Sequence, residues 1–215
     1  MRIEAIPNFA TGIYALIAKK SPCIRDLHQQ IAEEVSAKAG SGRILDVGTG
    51  PGYLPLAIAK RASGPEIFGI DLSSGMVDIA NKNAKEAGLS GRVKFQVANA
   101  SSLPFADGYF DFVISSLSLH HWLNPCACFK EIHRVLKNNG EAYIYDIRKD
   151  TAQETDAQIR RQYGWFLSFL FLKVVRLHSS LSFKSAENLL SSLEANFSQK
   201  RVEESGVLLR LKLVK

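Results

Sequence analysis

The chain has 215 residues, 46% of them apolar and 22% charged, which suits a globular protein with one full core and leaves too few residues for two ordinary domains. No stretch reaches the roughly 18 apolar residues needed to span a bilayer. The N-terminal MRIEAIPNFATGIYALIAKKS also lacks a charged leader, apolar run and small-residue cleavage site in succession, so a cytoplasmic chain without a secretory signal is expected. The net charge of +6 is uneven: residues 1–147 hold 15 Lys and Arg against 14 Asp and Glu, and residues 148–215 hold 12 against 7. A basic final third is either a solvated surface or an attractor of an anionic substrate, nucleic acid or membrane.

In chain order, ATGIYALIAKK (10–20) and CIRDLHQQIAEEVSAKAG (23–40) predict two helices that form a cap ahead of the first strand. GRILDVG (42–48) is a short apolar strand closed by glycine, and PGYLPLAIAKRAS (51–63) has helical spacing at Leu54, Ile58 and Ala62. EIFGIDLS (66–73) is a second strand. SSGMVDIANKNAKEAG (73–88) is a helix with Ser73 as N-cap and Gly88 as its stop. VKFQVAN (93–99) and FDFVISS (110–116) are strands three and four. PCACFKEIHRVLKNNG (125–140) predicts a helix ended by Asn-Asn-Gly, and EAYIYDI (141–147) a fifth strand. A long apolar helix over 155–180 and a second over 184–197 come next. SQKRVEE (198–204) and GVLLRLKLVK (206–215) then read as strands joined by a tight turn at Glu204-Ser205-Gly206, an antiparallel pair at one end of the sheet. Strands alternating with helices predict parallel strands with crossovers, hence a doubly wound α/β sheet in a single domain: a helical cap over 1–40, a ligand-binding core over 42–147, and lid helices with terminal strands over 148–215.

In open α/β sheets ligands bind at the carboxyl ends of the strands, near the point where strand order reverses. The first such place is Asp46-Val47-Gly48-Thr49-Gly50-Pro51-Gly52. A dinucleotide fingerprint would need glycine where Tyr53 stands, and no Gly-Lys-Ser/Thr phosphate loop is present. Asp46, just before the glycines, suits a cationic ligand better than a pyrophosphate. The second place is Asp71, an acid at the end of strand two, placed to accept both hydroxyls of a ribose. Without a ligand the two would be a plain strand-turn-helix and an exposed turn Asp. Cys23, Cys126 and Cys128 are too few and too irregularly spaced for a disulfide framework or zinc finger, and read as structural thiols.

ILDVGTGPGYLPLAIAK, GIDLSSGMVDIAN, ANASSLPFADGYFDFVISSLSLHHW and EIHRVLKNNGEAYI are similar, in order and spacing, to the class I S-adenosylmethionine-dependent methyltransferases of the UbiE-like, type 11 family. The resemblance covers roughly residues 42–147. It implies a Rossmann-like seven-stranded sheet in the order 3-2-1-4-5-7-6 with strand 7 antiparallel, and S-adenosylmethionine as cofactor. Carried over by position, Asp46 interacts with the ligand's amino group, directly or through water. Gly48 and Gly50 let the backbone lie against the methionine and ribose portions, and Thr49 and Gly52 are further cofactor-binding residues of the same turn. Asp71 holds the ribose hydroxyls, with Leu72 packing on the adenine, and Met76 is a further cofactor-binding residue. Asn99 and Ala100 stand where the family has an Asp and a small residue, and the Asn99 carbonyl can accept from the adenine amino group as the Asp does. Ser115 and Ser116 line the methionine end.

The resemblance also places Leu117–Trp122 beside the transferable methyl group. His120 and His121 are therefore the candidates for a general base, with a structural or cofactor-lining role as the alternative. A metal site is not expected, since adjacent histidines on a helix do not face one point. Asp146, beside Arg148, lies at the acceptor rim and reads first as half of a surface salt bridge. Phe9, Tyr14, Trp122 and Trp165 are candidate lid and substrate residues. The apolar run 163–172, followed by Lys173 and Arg176, reads as core, as a pocket for a small apolar acceptor, or as a dimer or peripheral membrane contact. A nucleic-acid or protein methyltransferase, a non-catalytic cofactor-binding regulator and a nicotinamide oxidoreductase remain as alternatives. The first of these lacks the [DNS]PP[YFW] motif after strand four.

Overall fold

The structure is a computed structural model that describes residues 7–151, 153–165, 168–169, 181–205 and 207–215. Two helices, α1 (Asn8–Lys20) and α2 (Pro22–Ala39), precede β1 (Arg43–Val47). Then come α3 (Tyr53–Arg61), β2 (Glu66–Asp71), α4 (Ser74–Glu86), β3 (Val93–Val97) and β4 (Phe110–Ser116). A 3₁₀ turn at Leu119–His121 leads into α5 (Pro125–Val135) and β5 (Leu136–Ile147). After α6 (Gln153–Tyr163) and α7 (Phe183–Ser192), the chain finishes with β6 (Gln199–Ser205) and β7 (Leu208–Val214).

The seven strands form one sheet in the order β3-β2-β1-β4-β5-β7-β6. β1 to β5 run parallel, and β7 is antiparallel to both β5 and β6. The expected order and the expected antiparallel terminal pair are both present; Gly206 of the predicted turn lies outside the described residues. Alternation along the strands divides the core into two layers. Ile44, Ile67 and Ile114 meet Ile31, Val35, Leu54 and Ile58 of α2 and α3 on one face. Leu45, Val113 and Ile144 meet Phe129, Ile132 and Leu190 of α5 and α7 on the other, joined by Leu209, Leu211 and Leu213 of β7. The strand order reverses at β1, between β2 and β4, which fixes the crevice above their carboxyl ends as the place for a ligand.

Several boundaries differ from those the sequence predicts. The helix expected over 125–140 stops at Val135, and the strand expected at 141 begins at Leu136. Leu136 is fully buried and pairs with Phe110, while Asn139 (φ 63°) and Gly140 exchange backbone hydrogen bonds with Lys215. The sheet therefore claims this stretch against its helical pattern, and Asn tolerates the left-handed bend. Ser73 stands at the N-cap of α4, but its hydroxyl donates to Asn8 Oδ1 and makes no cap bond, so it fastens α1 to α4. α7 ends at Ser192, because Leu193 turns extended and joins Phe197 in the core. Of the long helix expected over 155–180, α6 runs to Tyr163 and the chain bends at Gly164 (φ 79°); residues 166–167 and 170–180 lie outside the described residues.

Gly69 of β2 has no room for a side chain: a Cβ there would sit 2.5 Å from the Phe95 ring and 2.8 Å from Thr49 Oγ1. Gly69→Ala should cost about 1–3 kcal/mol through overpacking, read as a lower midpoint in chemical denaturation. A midpoint unchanged from wild type would show that β2 and β3 do not lie this close.

Candidate functional site

At the switch point, Asp46, Gly48, Thr49 and Gly50 from the β1 turn line a cavity. Asp71, Leu72 and Met76 from β2 and α4 join them, with Asn99 and Ala100 after β3, and Ser116, Leu117, Ser118, His121 and Trp122 after β4. Tyr14, Ala18, Ile24 and His28 of the two cap helices close it. Parallel pairing of β1 with β2 and β4 brings these segments to one rim although they lie far apart in sequence.

The glycine turn is built for close approach. Gly48 (φ 75°) donates its N–H to the Ile70 carbonyl, and a Cβ there would meet Ser118 at 2.5 Å. Ser118 in turn hydrogen-bonds Ser115 (2.6 Å) and donates to the Val47 carbonyl (3.1 Å), so the turn after β4 locks onto the turn after β1. Leu117, at φ 57°, holds a left-handed conformation that a branched side chain seldom adopts; such strain concentrates at functional sites.

Asp46 is 2% exposed. Its Oδ2 accepts from the Thr49 hydroxyl at 2.8 Å, while Oδ1 has no partner among the described residues. Burial pushes its carboxyl up to about 7, opposed by the Thr49 hydrogen bond and helped by the negative charge of Asp71. Ser116 Oγ is likewise buried without a partner among the described residues. Two unsatisfied polar atoms beside one cavity are costly unless a ligand completes them. Asp71 accepts from Gly50 N–H (2.8 Å) and Ser73 N–H (2.9 Å), tying the glycine turn to the start of α4. Burial raises its carboxyl, and these backbone donors partly offset that. Burial also raises the Tyr14 hydroxyl, with Asp71 and Asp146 adding to the effect. The cavity lining thus has two carboxylates and, among the described residues, neither Lys nor Arg. It suits a ligand bearing positive charge and opposes a pyrophosphate.

Asn99 differs from expectation. Its Oδ1 already accepts from Ser101 N–H (2.9 Å) and Ser101 O–H (2.8 Å), so the carbonyl expected for an adenine amino group is engaged. The loop carrying it is clamped from α5: Glu131 accepts from Leu103 N–H, and Arg134 donates to the carbonyls of Leu103 and Phe105.

The two histidines separate. His121 lines the cavity; His120 does not. Asp146, fully buried, accepts from His120 N–H (2.9 Å) and Ile147 N–H (2.7 Å), and lies 2.9 Å from His120 Nδ1. Asp146 is therefore no surface partner of Arg148, which pairs instead with Asp150 and Glu204. The reason is that β5 runs beside β4 and delivers Asp146 under the turn carrying His120. The His120 and His121 rings lie against each other, 4.1 Å between centroids. Gly52, Ser115, Phe9 and Trp165 also lie outside the lining: Ser115 is wholly buried, while Phe9 and Trp165 face outward, 88% and 66% exposed. Sequence reasoning missed His28, which burial holds at about 4 and hence neutral, and which carries no sequence signal beyond its residue type; Ser118 belongs to the 117–122 segment that the resemblance places here. Among the described residues no cluster of three or more His, Cys, Asp or Glu is placed to hold a metal ion, and no helix is long and apolar enough to cross a membrane.

Residues 45–144 match the family model described as a methyltransferase domain. The UbiE ubiquinone/menaquinone biosynthesis C-methyltransferase of Citrifermentans bemidjiense is 36% identical over 113 residues, 52% of this chain and 48% of that protein. The chain spans about half the length of the curated relatives it matches. A Methanococcus maripaludis structure described as an S-adenosyl-L-methionine-dependent methyltransferase superposes with a TM-score of 0.77 at 24% identity, over 97% of this chain and 93% of that one. The [4+2]-cyclase SpnF superposes with a TM-score of 0.55 at 36% identity, over 60% of this chain and 47% of that one.

Proposed function

We propose that this chain, which carries a methyltransferase domain of the type 11, UbiE-like family, transfers a methyl group from S-adenosylmethionine to a small apolar acceptor. The observation that carries the cofactor assignment is the unpartnered, buried Oδ1 of Asp46 beside a cavity without a cation among its described residues. An ammonium group donating to that oxygen relieves the burial penalty and draws the carboxyl back to its charged form. Asp71 keeps acceptor capacity on both oxygens for ribose hydroxyls, and Met76 and Leu72 offer an apolar face to a base. An amino group binding at Asn99 would have to displace the Ser101 hydroxyl.

Bound S-adenosylmethionine supplies a methyl carbon on a positively charged sulfur, an electrophile that needs no activation by the protein. What remains for these residues is to orient the acceptor, exclude water and take a proton. His121 is assigned the proton, as the histidine lining the cavity. His120 is a positioning residue that Asp146 anchors to β5. Tyr14, Ile24, Leu117 and Trp122 add an apolar wall to the cavity that His121 lines, which supports an apolar acceptor such as a quinone precursor, in keeping with the name of the UbiE relative.

Calorimetric titration with S-adenosylmethionine and S-adenosylhomocysteine should give micromolar binding of both. Failure of a folded protein to bind either would remove the cofactor assignment. The likeness to a [4+2]-cyclase makes transfer of labelled methyl, rather than binding alone, the deciding measurement for the reaction. Asp71→Ala should weaken cofactor binding by at least about tenfold, since it deletes charge-assisted hydrogen bonds worth roughly 1.5–3 kcal/mol each. An unchanged dissociation constant would show that Asp71 does not hold the ribose.

A further inference from the structure

Helix α1 is amphipathic in the inverted sense. Its buried face consists of small residues, Thr11, Ala15 and Ala18, each 5–6% exposed, and rests on α2 and α4. Its large apolar residues point the other way: Phe9, Ile13, Leu16 and Ile17 are 88%, 66%, 52% and 60% exposed. At helical spacing these four fall within an arc of about 100°. A globular helix normally buries that stripe; here it faces water at a cost that calls for an occupant. Lys20 lies on the same arc, Lys19 is exposed beside it, and α1 contains no Asp or Glu. A second apolar exposure, the stacked pair Trp165 and Phe169, comes after α6, whose Tyr163 hydroxyl donates to Asp26 of α2.

We propose that the outer face of α1 docks this protein on an anionic lipid surface, with Phe9, Ile13, Leu16 and Ile17 entering the headgroup–acyl boundary and Lys19 and Lys20 meeting lipid phosphates. An apolar stripe bordered by lysines and lacking acids is the signature of an interfacial helix lying in the membrane plane. A second copy of the chain fits less well. In a two-fold contact the same face meets itself, and the lysines bordering the stripe would find no acidic residue on the partner's α1. The inner face of α1 supplies Tyr14 and Ala18 to the cavity, so docking would set the cavity wall beside the lipid. This proposal goes beyond the reaction assigned above and stands on the helix alone.

The test is flotation with vesicles of phosphatidylcholine alone and of equimolar phosphatidylcholine and phosphatidylglycerol. The wild-type protein should float with the anionic vesicles and less with the neutral ones. Ile13→Glu/Ile17→Glu should reduce the bound fraction at least about tenfold, and Lys19→Glu/Lys20→Glu should remove the preference for anionic vesicles. Circular dichroism and thermal melting check that each variant is folded; both pairs of positions are exposed, so neither substitution disturbs the core. No flotation of the wild type, or flotation unchanged in Ile13→Glu/Ile17→Glu, would overturn the proposal. So would sedimentation showing a dimer that the same substitutions disperse. The readout is lipid binding, so its failure leaves the methyl-transfer reading untouched, and failure of cofactor binding leaves this one untouched.

Discussion

Asp46→Asn should stabilise the ligand-free protein at neutral and alkaline pH and, at the same time, weaken S-adenosylmethionine binding by at least about tenfold. Both effects come from one buried carboxylate. Burial raises the Asp46 carboxyl from 3.8 to about 7 in the folded chain. Between these limits the folded protein keeps a proton that the unfolded chain has released. The stabilisation this proton confers is complete below about pH 4 and is lost as pH rises to about 7. Above that, the empty protein carries a buried charge held by one hydroxyl, a penalty of order a few kcal/mol. Asn is isosteric and neutral, and its carbonyl can still accept from Thr49. The variant's melting temperature should therefore match the wild type's near pH 4 and exceed it by roughly 5 °C or more above pH 7, at the roughly 2–4 °C per kcal/mol expected for this chain length. Cofactor affinity behaves oppositely. In the wild type it should fall as pH drops below about 7, because Asp46 must first lose its proton to pair with an ammonium group; in Asp46→Asn that dependence should vanish. Equal affinities at about pH 7.5 would place the ammonium elsewhere. Equal melting temperatures there would mean that the carboxylate is hydrated.

The same residue shows why part of the site could be read from sequence. Asp46 is the last residue but one of a short apolar strand and Asp71 the last of another, and strand ends in a parallel sheet converge on one rim, so local pattern and fold class together place them. The terminal strands were legible for the same reason: alternation of Leu209, Leu211 and Leu213 sets one face of β7, and the short link to β6 makes the pair antiparallel. Asp146 could not be placed that way. Its neighbour in sequence, Arg148, is an obvious partner, yet its actual partner lies 26 residues upstream and arrives only through the pairing of β4 with β5. His28 has no local signal because α2 reaches the cavity by packing on α3. In the 125–140 segment, helical spacing extends past the point at which Leu136 joins the sheet, and the burial of Leu136 decides the outcome. α1 shows the converse: its spacing correctly predicts a helix, but spacing alone does not say which face turns inward. The Glu131–Arg134 pair likewise looks like an ordinary i,i+3 helix pair in the sequence. In the fold it clamps the loop that carries Asn99, and so reaches the site through the backbone of Leu103 and Phe105.

The division of labour proposed for the histidines predicts different signatures for two substitutions. His121→Ala should slow methyl transfer to a hydroxyl or carbon-acid acceptor by about 10²–10⁴-fold, the usual contribution of a positioned base, with S-adenosylmethionine affinity and melting temperature little changed. Asp146→Asn acts on the platform beneath. The carboxylate receives two backbone N–H donors and lies against the His120 ring; an amide can offer only one acceptor oxygen, and its NH₂ must face a donor. One buried N–H then goes unsatisfied, at a cost of about 1–3 kcal/mol. Asp146→Asn should therefore lower the melting temperature, which His121→Ala does not, and slow transfer by displacing the 3₁₀ turn rather than by deleting the base. With a thiol or amine acceptor, which needs less help to lose its proton, His121→Ala should cost far less, while the Asp146→Asn defect should persist because it misplaces the wall of the cavity. Full activity of His121→Ala toward a hydroxyl acceptor would eliminate His121 as the base. A loss in His120→Ala that equals the His121→Ala loss without any fall in melting temperature would transfer that role to His120.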